Sequence, residues 1–179
     1  MTRRKYGHRE RIAAYHEAGH AVVVTIVGRG FIAVVLDEVG GAFRFARVDL
    51  AGSHTPQGAR RELVVVQGGR AAETLRFARC HWASCASNED HAIGLATLGD
   101  PTAPDALRDW AYQRAQDILT EHWPAVRQVA EELKQRRRVE SCRVRDLVQG
   151  APRCPIVYRV CTEYEPSQVL RSRPTVGRG

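Results

Sequence analysis

Residues Glu10 to Val27 constrain this chain more than any other stretch. They contain no proline and a single glycine. Ile12, His16, His20, Val23 and Val27 recur at spacings of three and four, with Val24 beside them, which predicts a helix with two histidines in its apolar row. Two imidazoles facing a core need polar partners there. Gly19 lies between them, although a mid-helix glycine costs about 1 kcal/mol against alanine. Its presence predicts that another backbone or side chain approaches closely at that point.

His16-Glu17-Ala18-Gly19-His20 reads H-E-x-x-H. Residues four apart on a helix lie one above the other, so both rings can reach one metal ion. Glu17 stands beside the first ring and can serve as general base. Two neutral nitrogen ligands leave Zn²⁺ strongly Lewis acidic, and water on such an ion has a pKa of about 7. The pattern is that of zinc peptidases, with His16 and His20 as metal ligands and Glu17 as the catalytic residue. Such a site needs a third protein ligand and one open position. The longer H-E-x-x-H-x-x-G-x-x-H form is absent, because Val23 and Ile26 occupy the corresponding places. A distal acid is therefore expected. Glu89 and Asp90 are the candidates, at the start of a short helix running from near Glu89 to near Gly99, where the helix dipole favours an ionised carboxylate.

The rest of the chain reads as α+β, mostly helical. A strand is expected over Phe31–Leu36, a turn at Gly40-Gly41 and an alternating strand over Ala42–Val48, the two strands forming a hairpin on which the first helix packs. Helices are expected over Ala59–Phe77, Asp105–Trp123, Pro124–Arg138 and Cys142–Val148, the later ones forming a C-terminal bundle. Leu63, Val66, Arg70, Ala71 and Thr74 share one side of the second helix. Leu107, Trp110, Ala111, Ala115, Ile118 and Leu119 line the next. With 179 residues, one domain over residues 1–150 is expected, followed by a basic, proline-containing and partly disordered tail over 151–179.

Composition narrows the partners. The net charge is +7, concentrated at Arg3-Arg4-Lys5, Arg136-Arg137-Arg138 and the tail. No aromatic residues interleave with these runs, which argues against a specific nucleic-acid interface. The five cysteines, Cys80, Cys85, Cys142, Cys154 and Cys161, are odd in number and irregularly spaced, so reduced thiols are expected. Met1 to Lys5 leads into polar sequence without an apolar leader, and no apolar run approaches the ~20 residues of a membrane span. A cytoplasmic address is the expectation.

Three ordered motifs carry a family resemblance. Tyr15-His16-Glu17-Ala18-Gly19-His20-Ala21-Val22 resembles the active-site helix of the FtsH-type AAA-protease peptidases. Gly68-Gly69-Arg70-Ala71-Ala72-Glu73 is similar to that family's G-G-R-x-A-E segment, and Ala86-Ser87-Asn88-Glu89-Asp90 to its G-A-S-N-D segment, whose aspartate is the third zinc ligand. The resemblance covers about Glu10 to Gly150 and implies a zinc endopeptidase with His16, His20 and an acid of the third motif as ligands. That motif holds one extra acid, so Glu89 or Asp90 can align. Asp90 is preferred, because Ile93 and Gly94 then fall at the apolar and small positions of a packed helix. His91 is a candidate to support it. The chain contains no G-x-x-x-x-G-K phosphate loop, so the resemblance implies ATP-independent cleavage of flexible or unfolded segments, or help from a separate ATPase or from further copies of the chain. The strand over Phe43–Val48 would offer its edge to an extended substrate. The rival readings are an inactive protease-fold module that binds a protein partner, and a basic regulator associated with nucleic acid.

Overall fold

The computed structural model describes residues 7–36 and 54–150, the side chains of 82–87 excepted. Within them lie six helices and one two-stranded antiparallel sheet, a mostly helical α+β fold. The helices are α1 (His8–Ile26), α2 (Pro56–Phe77), α3 (Trp82–Gly99), α4 (Pro104–Glu121), α5 (Trp123–Arg136) and α6 (Ser141–Gln149). The strands are β1 (Ala33–Val35) and β2 (Arg138–Glu140).

Helix α1 is the axis of the molecule. Its apolar stripe predicts one wet face, yet every residue from Ala14 to Val24 is buried. The reason is tertiary: α2, α4, α5 and α6 all pack on it and leave no side for solvent. Gly19 makes the tightest of these contacts possible. A Cβ there would lie 2.4 Å from the Gly68 carbonyl oxygen and 2.6 Å from the Ala72 Cβ, so the two helix backbones meet where both sequences turn small. Leu63 from α2, Leu119 from α4 and Leu133 from α5 are fully buried in the same core. Each such side chain contributes about 1.5–3 kcal/mol of burial free energy.

Local chemistry sets the helix boundaries. Thr55 Oγ1 accepts from the Gly58 amide at 3.0 Å, and Pro56 sits in the first turn, which starts α2. The Gly7 amide donates to Glu10 at 3.2 Å at the start of α1. Arg137 takes the left-handed conformation that ends α5, and its guanidinium bonds Glu10 at 3.0 Å.

The sheet seen among the described residues joins distant parts of the chain. β1 pairs with β2, with Ala33 opposite Glu140, Val34 opposite Val139 and Val35 opposite Arg138. A strand of three residues cannot announce a partner some hundred residues away; α5 delivers β2 to β1 by its position against α1. The strand expected over Ala42–Val48, its turn, its proposed substrate edge and the tail over 151–179 lie outside the described residues. In α4, Trp110 is half-exposed instead of inward, and in α2 Arg70 is exposed, its guanidinium 4.8 Å over the Tyr112 ring.

The basic run at the end of α5 meets nearby carboxylates. Arg136 lies 3.7 Å from Glu132, Arg137 bonds Glu10, and Arg138 bonds Glu140 at 2.6 Å. Arg137 and Arg138 each bond a carboxylate, while Arg136 lies near one that Arg143 already holds at 2.6 Å, so this segment is only partly neutralised. Cys142 is buried in the core, and Cys80 is disulfide-bonded, contrary to the expectation of reduced thiols. No helix among the described residues is long and apolar enough to cross a membrane.

Candidate metal centre

His16, Glu17 and His20 point into one buried space, with their ligand atoms all within 4.8 Å of one another. They are 2–4% exposed. The one-turn spacing on α1 brings the rings together, with their Nε2 atoms 3.0 Å apart.

The outer nitrogens decide what those inner nitrogens can be. His20 Nδ1 lies 2.7 Å from the Val65 carbonyl oxygen, which can only accept, so Nδ1 carries the hydrogen. His16 Nδ1 donates to Glu73 Oε1 at 2.7 Å. In the neutral rings both Nε2 atoms are then bare lone pairs turned toward each other. Burial, with His16 adding to it, pushes His20 down to about 3, so this ring does not solve the conflict by taking a proton at neutral pH. The Asn88 amide nitrogen sits 3.2 Å from both Nε2 atoms and donates to each. The positive end of a dipole therefore faces a pair of donors that would equally accept a cation. Both outer contacts are the kind that fix a metal-binding imidazole: a carboxylate on one ring and a carbonyl on the other.

Backbone shape completes the cradle. A Cβ on Gly69 would lie 2.5 Å from His16 Cε1, His16 Nε2 and His20 Nε2. Only glycine allows α2 to pass the ring edges at this distance. Glu17 contributes a buried carboxylate whose Oε2 has no hydrogen-bond partner among the described residues. Its pKa is raised well above the usual carboxylate value, chiefly by burial and then by the charge of Glu73. An orphaned carboxylate oxygen beside two facing nitrogen lone pairs is a donor set that fits a divalent cation.

The third-ligand expectation needs correction in its details. Helix α3 begins at Trp82, a full two turns before the expected start. Its inner face is then Ala92, Leu95 and Ala96, whereas Ile93 is exposed and a Cβ on Gly94 would meet nothing. Asn88 falls on that inner face one turn before Ala92. Asp90 falls with Ile93 and Gly94 on the outer face; it is exposed, as is His91, and the structure does not bring it to the histidine pair. Glu89 lies at the boundary, and its carboxylate too falls outside the cluster of ligand atoms that His16, Glu17 and His20 form. It lines a small cleft with His16, Val66, Gln67, Arg70 and Asn88, with about 10 Å³ of free volume, room for one small ion or water. A larger cleft of about 990 Å³ lies apart from the histidines, walled by residues that include Tyr15, Trp123 and Arg127. Volume alone would favour it, but it contains none of the facing donors.

Glu73 is the residue whose role sequence reasoning missed. It is fully buried, and its second oxygen accepts from the His81 backbone amide at 2.6 Å. A signal existed: Val66, Gly69 and Glu73 share one stripe of α2, so an acid stood in a row of small and apolar residues. No signal marks the Val65 carbonyl. Glu73→Gln leaves one accepting oxygen where the His16 ring nitrogen and both the amide and the ring nitrogen of His81 now face a carboxylate, so it should lower zinc affinity about 10–100-fold. Unchanged affinity in a chelator competition would remove Glu73 from the site.

The two shifted groups pull metal-free stability in opposite directions. His20 has an ordinary value of 6.5 and about 3 in the fold. The unfolded chain binds the extra proton between those limits, so stability is lost as pH falls from about 6.5 toward 3. Glu17 keeps a proton that the unfolded chain releases above its ordinary 4.5, so stability is lost as pH rises from there. The slopes oppose each other between these two ordinary values and act singly outside them. Denaturant melts of chelator-treated protein should show a decline below pH 4.5 of up to about 1.4 kcal/mol per unit from His20. That part of the decline should vanish in His20→Gln; the same acid slope in both proteins would refute the assignment.

No protein-family model matches this chain, and a search of the curated proteins finds no match.

Proposed function

We propose that this chain is a zinc-dependent endopeptidase that hydrolyses flexible or unfolded segments of protein. One observation carries the reading: two imidazole Nε2 atoms face each other at 3.0 Å with both outer nitrogens engaged, beside a buried glutamate with a free oxygen. His16 and His20 would hold the metal. We take Glu89 rather than Asp90 as the third donor, because Glu89 shares the small cleft with His16 and Asp90 lies on the outer face of α3. Zinc in this donor set supplies Lewis acidity toward a peptide carbonyl and lowers the pKa of water.

The chain's own residues do the rest. Glu17 Oε2 takes a proton from the attacking water as its oxygen adds to the carbonyl carbon. The same carboxyl returns that proton to the amide nitrogen as the C–N bond breaks. Glu73 and the Val65 carbonyl hold the two rings in the tautomer that keeps Nε2 basic. The Asn88 amide, which donates to both rings, is suited to donate to an oxyanion once a cation occupies the nitrogens. A centre only 2–4% exposed cannot be reached by the surface of a folded protein, which is why the substrate is an extended or unfolded segment.

The test is direct. Purified protein should carry about one zinc per chain and cleave casein, with cleavage stopped by a chelator and restored by zinc. A zinc-loaded protein that leaves casein intact would favour the module that only binds a partner. Protein that takes up no zinc would end the reading.

A further inference from the structure

Glu89 is already engaged. Its Oε1 bonds Arg108 NH2, and the arginine belongs to α4, which packs beside α3. The grip uses one nitrogen of the guanidinium. Arg108 Nε is buried without a hydrogen-bond partner among the described residues, so the planar fork is not used in the bidentate manner that gives arginine–carboxylate pairs their strength. Arg108 also has a second carboxylate: its NH1 bonds Asp105 Oδ1 at 3.2 Å, one turn earlier on α4. Asp105 is almost fully exposed and free to follow the guanidinium. If Glu89 leaves, Arg108 therefore keeps an anionic partner, and no charge is stranded at the α3–α4 boundary.

We propose that Arg108 is a latch on the third metal donor: it holds Glu89 when no cation is bound, yields it to the cation, and falls back on Asp105. The inference rests on the reading of Glu89 as the third donor. Its consequence is that Arg108 lowers zinc affinity and makes zinc loading a contest between two cations for one carboxylate. A ligand shifts such an equilibrium only by its differential affinity for the two arrangements, so weakening the competing pair strengthens the metal. Arg108 is thus a positioning residue, acting through Glu89.

Zinc dissociation constants of the full chain, measured against a chromophoric chelator, test this. Arg108→Gln should bind zinc about tenfold more tightly than wild type, the scale on which outer contacts tune metal sites. Asp105→Asn removes the fallback partner and should weaken zinc binding a few-fold; this exposed substitution serves also if Arg108→Gln does not fold. Neither substitution should have any effect in a Glu89→Gln background. That background separates the latch from a mere change of nearby charge, which would persist in it. Wild type that binds zinc, with Arg108→Gln equal or weaker, would overturn the latch and leave the peptidase reading standing. An effect that survives Glu89→Gln would overturn it too. Wild type that binds no zinc would take down both.

Discussion

Glu17→Gln should retain zinc and lose peptidase activity by about a thousandfold, within the 10²–10⁴ range of general acid–base catalysis. The amide keeps the size of the carboxyl and fits the same buried space, but cannot take a proton from water. Neither ring loses a contact, because their outer partners are Glu73 and Val65. The substitution has a second, independent signature. In the metal-free protein the Glu17 carboxylate is opposed by burial and by Glu73. A neutral amide escapes that penalty, so chelated Glu17→Gln should be more stable than wild type above neutral pH. The advantage should grow with pH up to the raised pKa of Glu17. Casein cleavage at near wild-type rate would remove Glu17 from the mechanism. Equal melting curves across that range would show that the carboxyl is not desolvated as described.

The second large effect belongs to a residue with no side chain. Gly69→Ala places a methyl group 2.5 Å from three ring atoms of His16 and His20. No real Cβ contact is that short, so the rings or α2 must move. The rings cannot move freely, because each is fixed at its outer nitrogen. Neither can α2, whose Gly68 rests on the Gly19 backbone. Overpacking of this kind costs about 1–3 kcal/mol of stability. The loss in zinc affinity should be larger than that of Glu73→Gln, by more than about a hundredfold. Metal content and a thermal melt read both quantities. A folded Gly69→Ala protein with full zinc would show that the site lies away from the facing nitrogens.

The first helix and its chemistry were legible because both are local. Periodicity, the absence of proline and the H-E-x-x-H spacing act within a few turns of one helix, so α1 spans His8–Ile26 close to its expected limits. Gly19 announced a close approach without saying to what. The later helices were legible for the same reason, with Pro124 marking a first turn; α2 and α4 begin slightly before the starts expected at Ala59 and Asp105, with Pro56 and Pro104 in their first turns. Helix α3 was not. No strong breaker separates Cys80 from Glu89, so its start, and with it the rotation that turns Asn88 inward and Asp90 outward, could not be read from the chain. One residue of uncertainty on a helix is 100° of direction, enough to exchange one acid for another.

The sequence by itself therefore determined two histidines on one helical face, with a glutamate between them and a glycine where a second helix must pass. These follow from bonds and sterics within a few residues. Only the tertiary structure decided that α1 is buried on every side and that β1 pairs with β2. It also decided that Val65 and Glu73 hold the rings, and that Glu89 rather than Asp90 lines the cleft beside His16. Each of these joins residues far apart in the chain, and their geometry is set by how helices pack, which no local pattern records.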